Sequence, residues 1–203
     1  MEVSLASILS IALGIALAAA TGFRVFVPLL VAGLAARADV IPLTDTFQWL
    51  ASTPALLMLG TAAVFEVLAY YIPGVDHALD LVAGPVTVAA GVVASAAVMA
   101  DIPPELMWPL AVIAGGGIAG LTKGSAAVLR AKSGLLTGGL ANPVVSTVET
   151  VGATGLSMLA IVLPLLALVA IVALLWWSAR KAGRIVFGRS RRAGQPQPPT
   201  HGP

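Results

Sequence analysis

The sequence predicts an all-α fold, a polytopic transmembrane helical bundle. Three observations predict it. The chain of 203 residues is 59% hydrophobic and 10% charged, whereas a water-soluble domain carries about a quarter charged residues. The apolar residues come in blocks long enough to cross a bilayer. None of these blocks alternates apolar with polar residues as a porin strand does.

The first block covers 4–36. A straight helix of that length would be on the order of 50 Å, against a hydrocarbon core of ~30 Å. It must be tilted, kinked or broken, and Thr21-Gly22 and Pro28 are the available breaking points. Ala18-Ala19-Ala20 resembles a signal-peptide cleavage site, but Glu2 precedes it, no Lys or Arg does, and the apolar run continues past it. It reads as a retained first span.

Ser52-Thr53-Pro54 sets a helix start before the second block, 53–72, and Pro73-Gly74 ends that block. The third block, 81–100, is separated from the fourth, 106–129, by Asp101-Ile102-Pro103-Pro104-Glu105. Gly115, Gly116, Gly117 and Gly120 permit close helix approach. They lack the lysine and Ser/Thr spacing of a phosphate-binding loop. Asn142-Pro143 opens the last block, 143–178, which is again too long for one straight span. Gly152, Gly155 and Pro164 are its breaking points. These blocks give five to six spans, with the first and last helices broken or kinked.

Residues 1–179 read as one transmembrane domain. Residues 180–203 read as a basic, Pro-rich, disordered tail. Six of the eleven basic residues lie between Arg180 and Arg192. The positive-inside rule then places the C-terminus in the cytoplasm, in a multi-pass protein of the inner membrane. The expected partners are the lipid bilayer, anionic headgroups at the tail, and a second copy or a larger membrane complex. Nucleic acid is not expected, because the basic residues form a juxtamembrane cluster and no basic face runs along the chain. With five spans Arg130 and Lys132 would lie outside, which disfavours an odd count. The chain has no cysteine, so disulfides, thiolate metal sites and cysteine nucleophiles are excluded.

The two halves echo one another. The stretch from Gly14, GIALAAATGFRVFV, can be laid on GIAGLTKGSAAVLR from Gly117, and TGFRVFVPLL resembles TGGLANPVV from Thr137. Each half carries a base and then an acid within its apolar blocks: Arg24 then Glu66, and Lys123 then Glu149. This is the pattern of an inverted pseudo-repeat, an arrangement typical of transporters and channels.

Charges at the bilayer centre cost roughly 2.5–3.5 kcal/mol each on insertion scales, so each needs an account. Arg24 either snorkels to a headgroup or sits at a helix break against an acid or an anionic substrate. Glu66 either pairs with Arg24 or Lys123, or serves as a proton or cation site. Lys123 either snorkels and caps carbonyls, or joins such a site. Asn142, Ser146 and Glu149 share one helical face, which lines a cavity or satisfies an unwound segment. Asp76, His77 and Asp80 could hold a divalent cation, with Glu66 as a fourth ligand. They could equally cap a helix start. No other cofactor is expected. Catalysis is poorly supported, since the second histidine, His201, lies in the tail and no Gly-x-Ser-x-Gly elbow is present.

GIALAAATGFRVFVPLL, TPALLMLGTAAVFEVLAYYIPGVDHALD, TGGLANPVV and STVET together resemble a family of small bacterial membrane proteins. It is labelled domain of unknown function four-one-two-six, and the resemblance runs from about Leu5 to Leu175. It implies a membrane location and a single domain, and brings no activity. The leading expectation for function is a small transporter or channel-like protein for an ion or small polar solute, with Arg24, Glu66, Lys123, Asn142, Ser146 and Glu149 on its pathway. The alternatives are a non-transporting accessory membrane subunit and a lipid-processing enzyme built on His77 and Asp80.

Overall fold

The computed structural model describes residues 4–72, 75–138 and 140–193, and side chains within these except at 75–81 and 181–193. Among the described residues every regular element is helical.

Helix α1, Leu5–Thr21, starts at Ser4, whose Oγ accepts the Ser7 N–H at 3.1 Å. From Ala16 to Thr21 it is buried on all sides. Small side chains over that stretch let α4, α6, α7 and α8 pack around it, so it is the axis of the bundle. Those partners are α4 (Val75–Val98), α6 (Gly117–Thr137), α7 (Asn142–Val162) and α8 (Pro164–Ala193).

The first block breaks at residues 22–25, and α2 follows as Phe26–Arg37. Pro28 is not the breaking point. It lies in the first turn of α2, where its missing N–H has no intrahelical acceptor to lose. Gly22 has ordinary helical angles (φ −63°), so its role is space. A Cβ there would lie 2.8 Å from the Ala119 carbonyl oxygen and against Thr122, which means α1 and α6 meet backbone to backbone.

A 3-10 helix, Asp45–Ala51, leads into α3, Thr53–Ala69, with a 68° bend between them. The helix start lies where the sequence sets it, but one residue early: Ser52 is the cap, accepting the Ala55 N–H at 3.4 Å, and Thr53 rather than Pro54 is the first helical residue. Helix α5, Pro104–Leu110, continues through a π-helical stretch, Ala111–Gly116, into α6. The wider π turn presents Gly115 and Gly116 to α4. Helix α6 ends at Gly138, which takes the left-handed conformation (φ 60°). Asn142 is the first residue of α7 rather than its cap, a position held by Ala141 without a side-chain hydrogen bond. The last block breaks at Leu163-Pro164, while Gly152 and Gly155 stay within α7. Helix α8 runs through residue 180 to Ala193, and 194–203 lie outside the described residues.

The bundle has an apolar core around α1 that also holds charged and polar groups, and its exterior is apolar. Arg24, Thr87, Ser95, Thr122, Lys123, Arg130, Asn142, Ser146, Glu149 and Ser157 are buried. Leu57, Phe65, Ile113, Val148, Val162 and Trp176 are among the many large apolar residues exposed. So much exposed apolar surface over buried charges is unlike a water-soluble fold and points to a membrane protein. Pro104–Thr137 and Asn142–Val162 are long and apolar enough to cross a membrane, and the bent pair ending at Ala69 is a third candidate.

Candidate functional site

The site forms where α1 breaks. Once the chain leaves the helix after Thr21, the amides of Val25 and Phe26 have no intrahelical acceptor. Glu66, from the last turn of α3, supplies both: Oε1 accepts from Val25 N–H at 2.7 Å and Oε2 from Phe26 N–H at 3.1 Å. A carboxylate there also complements the positive end of the α2 dipole. The sequence offers Glu66 either a pairing with Arg24 or Lys123, or a role as a proton or cation site. The structure instead gives both carboxylate oxygens to backbone, because a broken helix leaves orphan donors that only a fixed acceptor can satisfy in an apolar interior.

Arg24 does not snorkel. It is fully buried and held by α7. Its Nε donates to Thr150 Oγ1 at 3.0 Å, and its Nη2 donates to the Ser146 carbonyl at 2.8 Å and to Ser146 Oγ. Thr150 Oγ1 in turn donates to the Ser146 carbonyl at 2.9 Å. These bonds close a ring that fixes one edge of the guanidinium plane. Glu149 Oε2 lies 3.9 Å from Arg24 Nη2 and is bound directly by Arg130 Nη2. Two guanidiniums thus share one carboxylate oxygen. Arg24 Nη1 and Glu149 Oε1 are buried with no hydrogen-bond partner among the described residues.

Tyr70 gathers the cations. The guanidinium carbons of Arg24 and Arg130 lie 4.4 and 4.2 Å from its ring centroid, and Lys123 Nζ lies 5.4 Å away while donating to its hydroxyl at 3.0 Å. Each face contact is a cation–π attraction that strengthens when desolvated. Replacing Tyr70 with Phe keeps the ring and loses the hydroxyl, at a cost of about 1 kcal/mol. Replacing it with Leu also loses the ring contacts, for a further cost on the order of 2 kcal/mol. Urea unfolding in detergent checks the order; equal losses for the two variants would show that the ring does not hold these cations.

Ser146 and Glu149 face the cluster, and Asn142 is buried one turn earlier on the same face of α7. Lys123 is buried in α6. Asp76, His77 and Asp80 lie where side chains are outside the described residues. Among the described residues no group of three His, Cys, Asp or Glu side chains is placed to hold a metal ion. Sequence reasoning missed Tyr70, Arg130 and Thr150. The signal was helical spacing: Tyr70 is four after Glu66, Thr150 four after Ser146, and Arg130 seven after Lys123.

Thr147, Thr150, Thr154 and Ser157 each return their hydroxyl to the carbonyl four residues back. This satisfies polar side chains along α7 without water. The helix can therefore carry a polar face through an apolar bundle.

No curated protein and no solved structure matches the chain. A family pattern does, over residues 11–184, and so takes in α2, α3, α7 and every residue of the cluster around Arg24. The chain belongs to the family described as Domain of unknown function (DUF4126).

Proposed function

We propose that the chain is a small polytopic membrane transporter or channel-like protein for an ion or small polar solute, whose pathway runs through the Arg24 cluster. The observation that carries this reading is the cluster itself. Charged side chains from α3, α6 and α7 converge on a helix break inside a bundle whose exterior is apolar. Broken helices with charged groups at the break are how membrane proteins build solute sites at depth. Glu66 organises the start of α2, and Arg24, Lys123, Asn142, Ser146 and Glu149 line the path with Arg130 and Tyr70.

The same reading holds five to six spans in the inner membrane, with the C-terminus cytoplasmic and the basic residues from Arg180 onward against anionic headgroups. Helix α2, of 12 residues, is about 18 Å long and serves as a half-span. An inverted pseudo-repeat is supported by a local likeness. Helix α1 ends on Thr21-Gly22 and the chain restarts as a helix at Phe26; α6 ends on Thr137-Gly138 and the chain restarts at Asn142.

The direct pairing of Arg130 with Glu149 and the closed ring around Arg24 favour a second reading, an accessory membrane subunit in which the charges lock helices together. Flux separates the two. Proteoliposomes holding wild-type protein are expected to pass an ion that empty vesicles retain, and Glu66→Gln, folded normally, is expected to lower that flux at least ~10-fold by loosening the start of α2. No flux of sodium, potassium, protons, chloride or small carboxylates would overturn the transport reading and leave the structural one.

A further inference from the structure

The geometry of the cluster bears on what it binds, a question that rests on the transport reading above. One edge of the Arg24 guanidinium, Nε and Nη2, is locked by Thr150 and Ser146, while Nη1 is fully buried and has no acceptor among the described residues. A buried, immobilised, half-used guanidinium is costly unless something uses its other edge. Glu149 comes within 3.9 Å only of Nη2, on the locked edge, and spends the same oxygen on Arg130. Its other oxygen, Oε1, is buried and unused among the described residues. A donor and an acceptor left unmatched in one cluster describe a carboxylate poised between two cations and fully satisfied by neither.

We propose that Arg24 is the docking point for a small carboxylate anion, which occupies the unused edge of its guanidinium while Glu149 stays with Arg130. A carboxylate oxygen is the charge-assisted acceptor that the Nη1 amino group lacks, since Nε and Nη2 already donate to Thr150 and Ser146. The Tyr70 ring, its centroid 4.4 Å from the guanidinium carbon, supplies polarisable surface beside it. Tyr71 and Thr147 share an exposed hydrogen bond of 2.7 Å. These residues are the chain neighbours of Tyr70 and Ser146, and they join α3 to α7 beside the cluster.

Sodium acetate is the probe, with sodium chloride at equal ionic strength as the control, on the detergent-solubilised full chain. Acetate is expected to raise the thermal midpoint of the wild type where chloride does not. Arg24→Lys keeps the charge and loses the planar edge, and is expected to weaken acetate binding by about 10-fold or more. Glu149→Gln removes the competing anion and is expected to tighten it by about 10-fold. That gain is an effect a merely structural role for Glu149 would not produce. If either variant does not fold, the wild type's response to acetate against chloride carries the test. Acetate acting no differently from chloride on wild type and Glu149→Gln would overturn the inference, as would an acetate effect undiminished in folded Arg24→Lys. Proton or cation flux without acetate binding overturns this inference and leaves the transport reading standing. Arg24-dependent acetate binding without flux of any solute supports the site and overturns transport.

Discussion

Replacing Glu149 with alanine is expected to cost about 3–5 kcal/mol of stability, the range for removing one partner of a buried ion pair. The geometry places the change at the upper end of what one substitution can do. Glu149 Oε2 is shared by Arg130 and Arg24, and both guanidiniums also face the same Tyr70 ring. Without the carboxylate, two like charges remain close together in a medium of low dielectric, where repulsion is weakly screened. Arg24 cannot swing away, because Ser146 and Thr150 hold it. The neighbouring Val148→Ala, on the lipid-facing side of the same helix, is the matched control and should cost little. Chemical unfolding in detergent micelles measures both. A loss for Glu149→Ala no larger than for Val148→Ala would mean that the carboxylate does not neutralise this cluster. Because the pairs are buried, the loss should also persist when salt is raised, unlike that of a surface ion pair.

The helical class and the need for a break in the first block were legible because they follow from length and composition. A run of 33 residues, 4–36, cannot lie straight across a bilayer. The choice between Thr21-Gly22 and Pro28 was not legible. Proline in the first turn of a helix and proline at a kink read the same until the helix start is known. The buried face of Asn142, Ser146 and Glu149 followed from helical spacing, but its partner did not. Arg130, near Lys132 at the end of an apolar block, has the sequence signature of a topology charge, and only packing shows that α6 turns it inward to Glu149. Glu66 is the mirror case. Its place within an apolar block was readable, but its partners are backbone amides, and those exist only because the chain breaks at residues 22–25. Side-chain chemistry cannot announce a partner that has no side chain.

The second large effect is steric and sits away from the charges. At Gly91 in α4, a Cβ would press on the Ala119 side chain and lie 3.0 Å from the Gly115 carbonyl oxygen and 3.3 Å from Thr21 Oγ1. At Gly115, in the π-helical stretch, a Cβ would lie 2.6 Å from Ser95 Cβ and 2.9 Å from the Gly91 carbonyl oxygen. Each glycine faces the other's backbone, so the obstruction cannot rotate out of the way, and relief requires that the helices separate. Overpacking of this kind costs about 1–3 kcal/mol when neighbours can yield. Gly91→Leu, where backbone must yield, is expected to exceed that range and leave little folded protein. Gly152 is also helical, but a Cβ added there would meet nothing within 4 Å. Gly152→Ala should be neutral or stabilising by up to about 1 kcal/mol through helix propensity. Yield and thermal midpoint in detergent compare Gly91→Leu with Gly152→Leu, and equal behaviour would disprove the close crossing. The crossing matters for the site because Thr21 is the last residue of α1 before the break. The glycines that let α4 and α6 close on that point also fix where the chain turns out of α1, and therefore where Arg24 meets α7.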